Sequence, residues 1–136
     1  MIKDERVKKV LRKDLNVYST DEQVIGTWID GKPLYRKIIY LSSLPSTPNT
    51  DVSLQHGIAN VDRIWLDIAN SFIVIQPNNS NSDIAPIPYV KTNNNQLVID
   101  MINFYGINRN LYVCFVSRDR SSSSAYLAFK YTKTTD

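Results

Sequence analysis

Tyr18 to Leu41 reads YSTDEQVIGTWIDGKPLYRKIIYL, and it spells a β-hairpin. Val24 to Ile29 is the outgoing strand, Asp30-Gly31 the turn, and Lys32 to Leu41 the return strand. Asp-Gly suits a two-residue type I′ turn, whose two central residues both need positive φ. That turn pairs Ile29 with Lys32, Trp28 with Pro33, Thr27 with Leu34 and Gly26 with Tyr35. Trp28 and Pro33 then form a non-hydrogen-bonded pair, where side chains come closest. Pro33 has no N–H to donate, so the outer side of the return strand near it is expected to be an edge.

On the N-terminal side of the hairpin lies the one helix candidate, Lys3 to Leu15. Val7, Val10, Leu11 and Leu15 follow helical spacing and form one apolar stripe. Met1 to Leu15 carries six Lys/Arg and three acids, so the whole formal charge of +3 sits on this arm. A helix this short is marginal in water and needs a surface to pack on. Three roles compete for the arm: a helix packed on its own domain or on copies of itself, a docking peptide for an acidic surface on a larger particle, and a nucleic-acid or membrane binder. The third is the weakest. Acids interrupt the basic run, no aromatic is interleaved, and the rest of the chain has no basic excess.

On the C-terminal side, Ser42 to Leu54 (SSLPSTPNTDVSL) reads as a surface loop, rich in Pro, Ser and Thr. His56-Gly57 opens the next strand. His56 is the only histidine in the chain. With no Cys or second His beside it, turn capping suits it better than metal binding or base catalysis. Val61 to Ile68 alternates, with Ile64, Leu66 and Ile68 on one face and Arg63, Trp65 and Asp67 on the other. Trp65 therefore falls on a mostly polar face. It either stacks on a sugar ring, anchors an interface, or is buried between sheets or subunits.

Phe72 to Gln76 reads as a buried strand. Ile84 to Val90, with Pro86 and Pro88 at alternate positions, reads as an extended edge. Leu97 to Ile102 is a further strand. Leu111 to Ser117 and Ala125 to Thr132 read as a last hairpin, with Arg118-Asp119-Arg120 at its tip as a solvated turn or a polar contact to a receptor or neighbouring subunit. Cys114 lies in a strand-like run and reads as a buried structural thiol. Asn and Ser occur 13 times each against two Glu, which favours turns and strands over helix.

Seven or eight short strands with polar turns between them predict a mainly β chain: an antiparallel β-sandwich, jelly-roll-like, preceded by one N-terminal α-helix. At 136 residues, 43% of them hydrophobic, one folded domain is expected. We divide it into a helical arm, 1–17, and a β module, 18–136. No apolar run reaches the length of a membrane span, and the charged start with no apolar run behind it does not read as a secretory signal. No G-x-S-x-G, H-E-x-x-H, phosphate-cradling Gly loop or paired carboxylate spacing is present, so neither an enzyme nor a cofactor is expected.

The hairpin stretch resembles the opening of a small β module that recurs in bacteriophage virion proteins, among them tail fibres, receptor-binding proteins and head fibres. Two later segments are similar to parts of the same module: His56-Gly57-Ile58-Ala59-Asn60-Val61-Asp62, and the ending Tyr131-Thr132-Lys133-Thr134-Thr135-Asp136. Together they span Tyr18 to Asp136. The resemblance implies a non-enzymatic virion structural or adhesion protein, commonly trimeric and assembled in the host cytoplasm with other virion proteins as partners. The Met1 start, the charged arm and this ending suggest a complete chain. On this reading Val7, Val10, Leu11 and Leu15 serve oligomerisation or docking. The alternative is a host-receptor module that binds surface glycan through Trp65, Tyr89 and Tyr105. An enzyme acting on surface polysaccharide is the remaining class, and no motif supports it.

Overall fold

A computed structural model describes residues 17–76, 83–93, 95–104 and 109–136. Among them are ten strands: β1 (Gln23–Thr27), β2 (Pro33–Leu41), β3 (Thr50–Gln55), β4 (Val61–Leu66), β5 (Phe72–Ile75), β6 (Asp83–Pro86), β7 (Tyr89–Asn93), β8 (Gln96–Phe104), β9 (Leu111–Val116) and β10 (Ser124–Lys133). The chain is mainly β, as expected, and every strand pairing is antiparallel. The only helical element among the described residues is a 3₁₀ turn at Ile68–Asn70. The expected helix over Lys3 to Leu15 lies outside the described residues.

The strands form two sheets. The first runs β1-β2-β10-β5-β6, with β4 also on β10; the second runs β3-β9-β8-β7. β10 is the axis of the first sheet. One edge pairs with β2 from Ala125 to Tyr131. The other pairs with β5 at Ser124–Tyr126 and with β4 at Phe129–Lys133. Between these two partners the Ala128 backbone has no strand opposite it. Asp67 N donates to Ala128 O at 2.8 Å, and Ala128 N donates to Ser71 Oγ at 2.9 Å. A hydroxyl thus replaces a ladder carbonyl, which is how a buried amide stays satisfied where one strand hands over to another.

Ala125, Leu127, Phe129 and Tyr131 of β10 are fully buried on the side that faces the second sheet. Phe129 meets Tyr112 of β9 and Phe104 of β8, with ring centroids 5.3 Å and 5.4 Å away. Both sheets contribute to this one core, where burial of apolar surface supplies most of the folding drive.

Several expectations are corrected. The hairpin turn has three residues, not two. Gly31 N donates to Trp28 O at 2.9 Å, and Trp28 N to Lys32 O at 2.8 Å, so Trp28 faces Lys32. Gly31 has φ +87°, but Asp30 is not in the positive region, so the turn is not type I′. Asp30 instead caps the turn by accepting from Lys32 N at 3.0 Å. Thr27 then pairs with Pro33, and a bulge between Val24 and Gly26 shifts the register by one residue more, so that Val24 rather than Gly26 faces Tyr35. Pro33 does lie beyond the β2–β10 ladder, which ends at Tyr35.

Ser42 to Leu54 is not all loop: its last residues form β3, an edge strand on β9. Its Val52 and Leu54 alternate with polar residues, a short pattern that the Pro- and Ser-rich run before it obscures. Ile68 leaves the strand for the 3₁₀ turn and is 58% exposed, while Asp67 is buried. β9 and β10 are not a hairpin. β9 pairs with β3 and β8, β10 belongs to the other sheet, and 117–123 crosses between them. Ile84 to Val90 likewise divides between β6, an edge of the first sheet, and β7, an edge of the second.

Candidate functional site

Alternation along β10 puts Tyr126, Ala128, Lys130 and Thr132 on the face away from the core. Their cross-strand partners share that face: Arg36, Ile38 and Tyr40 of β2, Arg63 and Trp65 of β4, Phe72 and Val74 of β5, then Ile84 and Pro86 of β6. The outer face of the first sheet is therefore aromatic at both ends.

At one end Tyr126 is the hub. Its ring lies 4.9 Å from Tyr40, 5.1 Å from Phe72 and 6.5 Å from Tyr18. A groove of about 590 Å³ runs beside it, lined by Tyr18, Ile68, Asn70, Phe72, Ile84 and Pro86. Tyr18 closes one wall by donating to Asn70 O at 2.9 Å. Burial, reinforced by Tyr126, raises its phenol above the ordinary value. Ile84 is 74% exposed and Tyr40 49%. Apolar side chains this open on a paired sheet mark a surface suited to contact.

At the other end Trp28, from the hairpin loop, packs on Trp65 with ring centroids 5.1 Å apart. Both are half-buried. Lys130, the register partner of Trp65, forms an ion pair with Asp67 at 3.4 Å.

The sequence-predicted ligand residues do not assemble into one platform. Trp65 sits on the outer face of the first sheet. Tyr89 pairs with Asp100 in the second sheet and packs against the core. Tyr105 lies outside the described residues, as do Val7, Val10, Leu11 and Leu15. Among the described residues no three His, Cys, Asp or Glu side chains converge as a metal site.

His56 is a turn cap. Its Nδ1 accepts from Ile58 N at 3.0 Å, and its Nε2 is hydrogen-bonded to Arg109 O. That pattern fixes the neutral tautomer with the proton on Nε2. Gly57, at φ +72°, makes the intervening turn. Cys114 is buried, and burial followed by the charge of Asp100 pushes its thiol up to about 12.

Arg120 is neither solvated nor outward-facing, contrary to both readings of the Arg118-Asp119-Arg120 tip. It is 8% exposed, and its guanidinium grips Asp100 through Nε (3.2 Å) and Nη2 (3.0 Å). The backbone does turn here: Asp119 accepts from Ser121 N, and Arg120 O accepts from Ser123 N at 2.9 Å. No periodicity announces the Arg120–Asp100 pair, because its partners come from a loop and from an inward position of β8.

The three segments quoted for the resemblance meet at one end of the first sheet. Tyr131 Oη and Lys133 Nζ both donate to Glu22, at 2.6 Å and 2.7 Å. Tyr35 stacks on Tyr131 at 5.5 Å and donates to Asp136 at 2.6 Å. Lys133 pairs with Val61, and Thr134 N donates to Asn60 O at 2.8 Å. Burial opposes ionisation of Glu22, but its bonds to Lys133 and Tyr131 win and lower its carboxyl below the ordinary value. Comparison with protein-family models, curated proteins and solved structures finds no match to the chain. The resemblance rests on these three segments.

Proposed function

We propose that the chain is a non-enzymatic structural protein of a bacteriophage virion, a small fibre or a head or tail decoration component. Its arm attaches it, and its β module, an antiparallel sandwich of jelly-roll type, is displayed. The observation that carries this reading is the convergence of Tyr18–Leu41, His56–Asp62 and Tyr131–Asp136 into one bonded unit. Segments that recur together in sequence have a physical reason to do so when each supplies the other's partners.

The module self-associates as a homotrimer in this reading. The outer face of the second sheet supports it: Val90 (56% exposed), Leu97 (59%) and Met101 (38%) stand beside Phe115 with no described cover. A small module gains stability by burying such a face between copies. Light scattering of the full chain on a sizing column tests this, with a mass three times that of the 15.6 kDa chain expected. A monomer at every concentration sinks the trimeric fibre.

A second reading, recognition of host surface glycan, draws on the half-exposed Trp28–Trp65 pair. Aromatic faces of this kind stack on the apolar face of a sugar. Glycan-array binding abolished by Trp65→Ala favours it; attachment that needs residues 1–15 with no glycan bound favours the structural reading.

A further inference from the structure

We propose that residues 3–15 dock in cis on the outer face of the first sheet, with Val7, Val10, Leu11 and Leu15 against the groove beside Tyr126. The described chain begins on this face. Arg36 Nη2 donates to Val17 O at 2.9 Å, Tyr18 Oη donates to Asn70 O, and Ile38 N donates to Ser19 O at 3.0 Å. Residues 17–19 are thereby held across β2 and β10. Leu15 is three residues before Tyr18, a span of at most about 10 Å. Tyr18 itself lines the groove, so the last residue of the stripe starts within reach of its walls.

The dimensions agree. In a helix, Val7 to Leu15 rises about 12 Å. From β6 through β5 and β10 to β2 there are three strand spacings, about 14 Å. The stripe thus spans the exposed apolar side chains from Ile84 to Tyr40. A short amphipathic helix is marginal alone and needs such a surface. The tether raises the local concentration of the arm far above that of the same segment on another molecule, which selects the chain's own arm as occupant.

Arg36 adds an independent sign. Its Nε–H is buried with no acceptor among the described residues, next to the point where the arm joins. A helix ending at Leu15 brings unpaired carbonyls to this place, and such groups seek cationic donors. Docked this way, the arm turns Arg6, Lys9, Arg12 and Lys13 outward at helical spacing. Cis docking is thus compatible with attachment to an acidic surface, the part of this inference that rests on the virion reading.

Hydrogen exchange read by mass spectrometry on the full chain tests the docking itself, whatever the particle. Amides of 3–15 are expected to exchange about tenfold or more slower than in a free peptide of that sequence. Protection should be unchanged on tenfold dilution. Ile84→Asp on the face and Val10→Asp in the arm should each abolish it, while β9 and β10 stay protected as proof of folding. Exchange at the free-peptide rate overturns the proposal, as does protection that survives both variants. Protection that falls on dilution also overturns it, and assigns the face to a second copy's arm.

Discussion

Replacing Asp100 or Arg120 probes a buried ion pair that ties a sheet-crossing loop to the inside of the second sheet. Asp100 lies on β8, on the inward side shared with Val98, Ile102 and Phe104, and is 1% exposed. Arg120 arrives from the segment between β9 and β10, anchored by its own N–H to Pro45 O at 3.0 Å. Two parallel bonds make the contact bidentate. Removing one partner leaves a desolvated charge without its mate, which costs roughly 3–5 kcal/mol. Against a total stability of about 5–15 kcal/mol, that is a large fraction. For a chain of this size it lowers Tm by on the order of 10–20 °C. Asp100→Leu and Arg120→Met should each show this loss in urea unfolding followed by Trp28 and Trp65 fluorescence at fixed protein concentration. The double variant Asp100→Leu/Arg120→Met should recover more than half of the summed loss, because replacing both charges by apolar groups leaves nothing unpaired. Single variants within about 1 kcal/mol of the parent, or losses that simply add, would falsify the view that the pair works as a unit.

Three further outcomes follow from named contacts. Ser71→Ala removes the acceptor for Ala128 N and should cost about 1–3 kcal/mol, measured by urea midpoint; Ser71→Thr, which keeps the hydroxyl, should cost less. Asp30→Gly would stabilise a type I′ turn, but here it deletes the cap on Lys32 N and should destabilise by about 1 kcal/mol, read by thermal unfolding. Burial raises Tyr112 to about 12, and burial with the Asp100 charge raises Cys114 to about 12, from ordinary values of 10.0 and 9.0. Folded values above unfolded ones mean stability that is complete below pH 9 and lost as pH climbs toward 12. Unfolding free energy should fall by about 1.4 kcal/mol per pH unit for Cys114 from pH 9 to 12, with a further contribution from Tyr112 that begins only at pH 10, and a flat profile from pH 8 to 11 would contradict it.

Local signals were legible where neighbours in sequence are neighbours in space. The β1–β2 hairpin, the burial of Cys114 and the turn role of His56 all follow from residues a few positions apart. The hairpin's register did not, since Asp-Gly serves both a two-residue turn and a type I turn closed by a left-handed Gly. The observed hairpin combines the longer turn with a bulge at Val24–Gly26, which no local sequence signal marks. β3 was hidden by its polar neighbours. β9 and β10 differ for another reason: two strong strands joined by seven residues look like a hairpin, and no local feature tells a hairpin from a crossover between sheets.

The site was legible in its parts and not in its assembly. Trp65 stands out in the sequence because it breaks the polar pattern of its face, and in the structure it lies on the outer face of the first sheet. Its partner Trp28 was assigned to Pro33, because the expected turn placed them opposite each other. Once the loop has three residues, Thr27 takes that position and Trp28 is freed to reach β4. Tyr126 and Tyr40 carry no comparable signal, since alternation alone does not say which face of a central strand looks at a second sheet. That is decided by Phe129, whose contacts with Tyr112 and Phe104 claim the odd positions of β10 for the core. The even positions are then left on the outer face, where Ala128 is covered by its larger neighbours and Tyr126 stays half-buried among Tyr40, Phe72 and Tyr18.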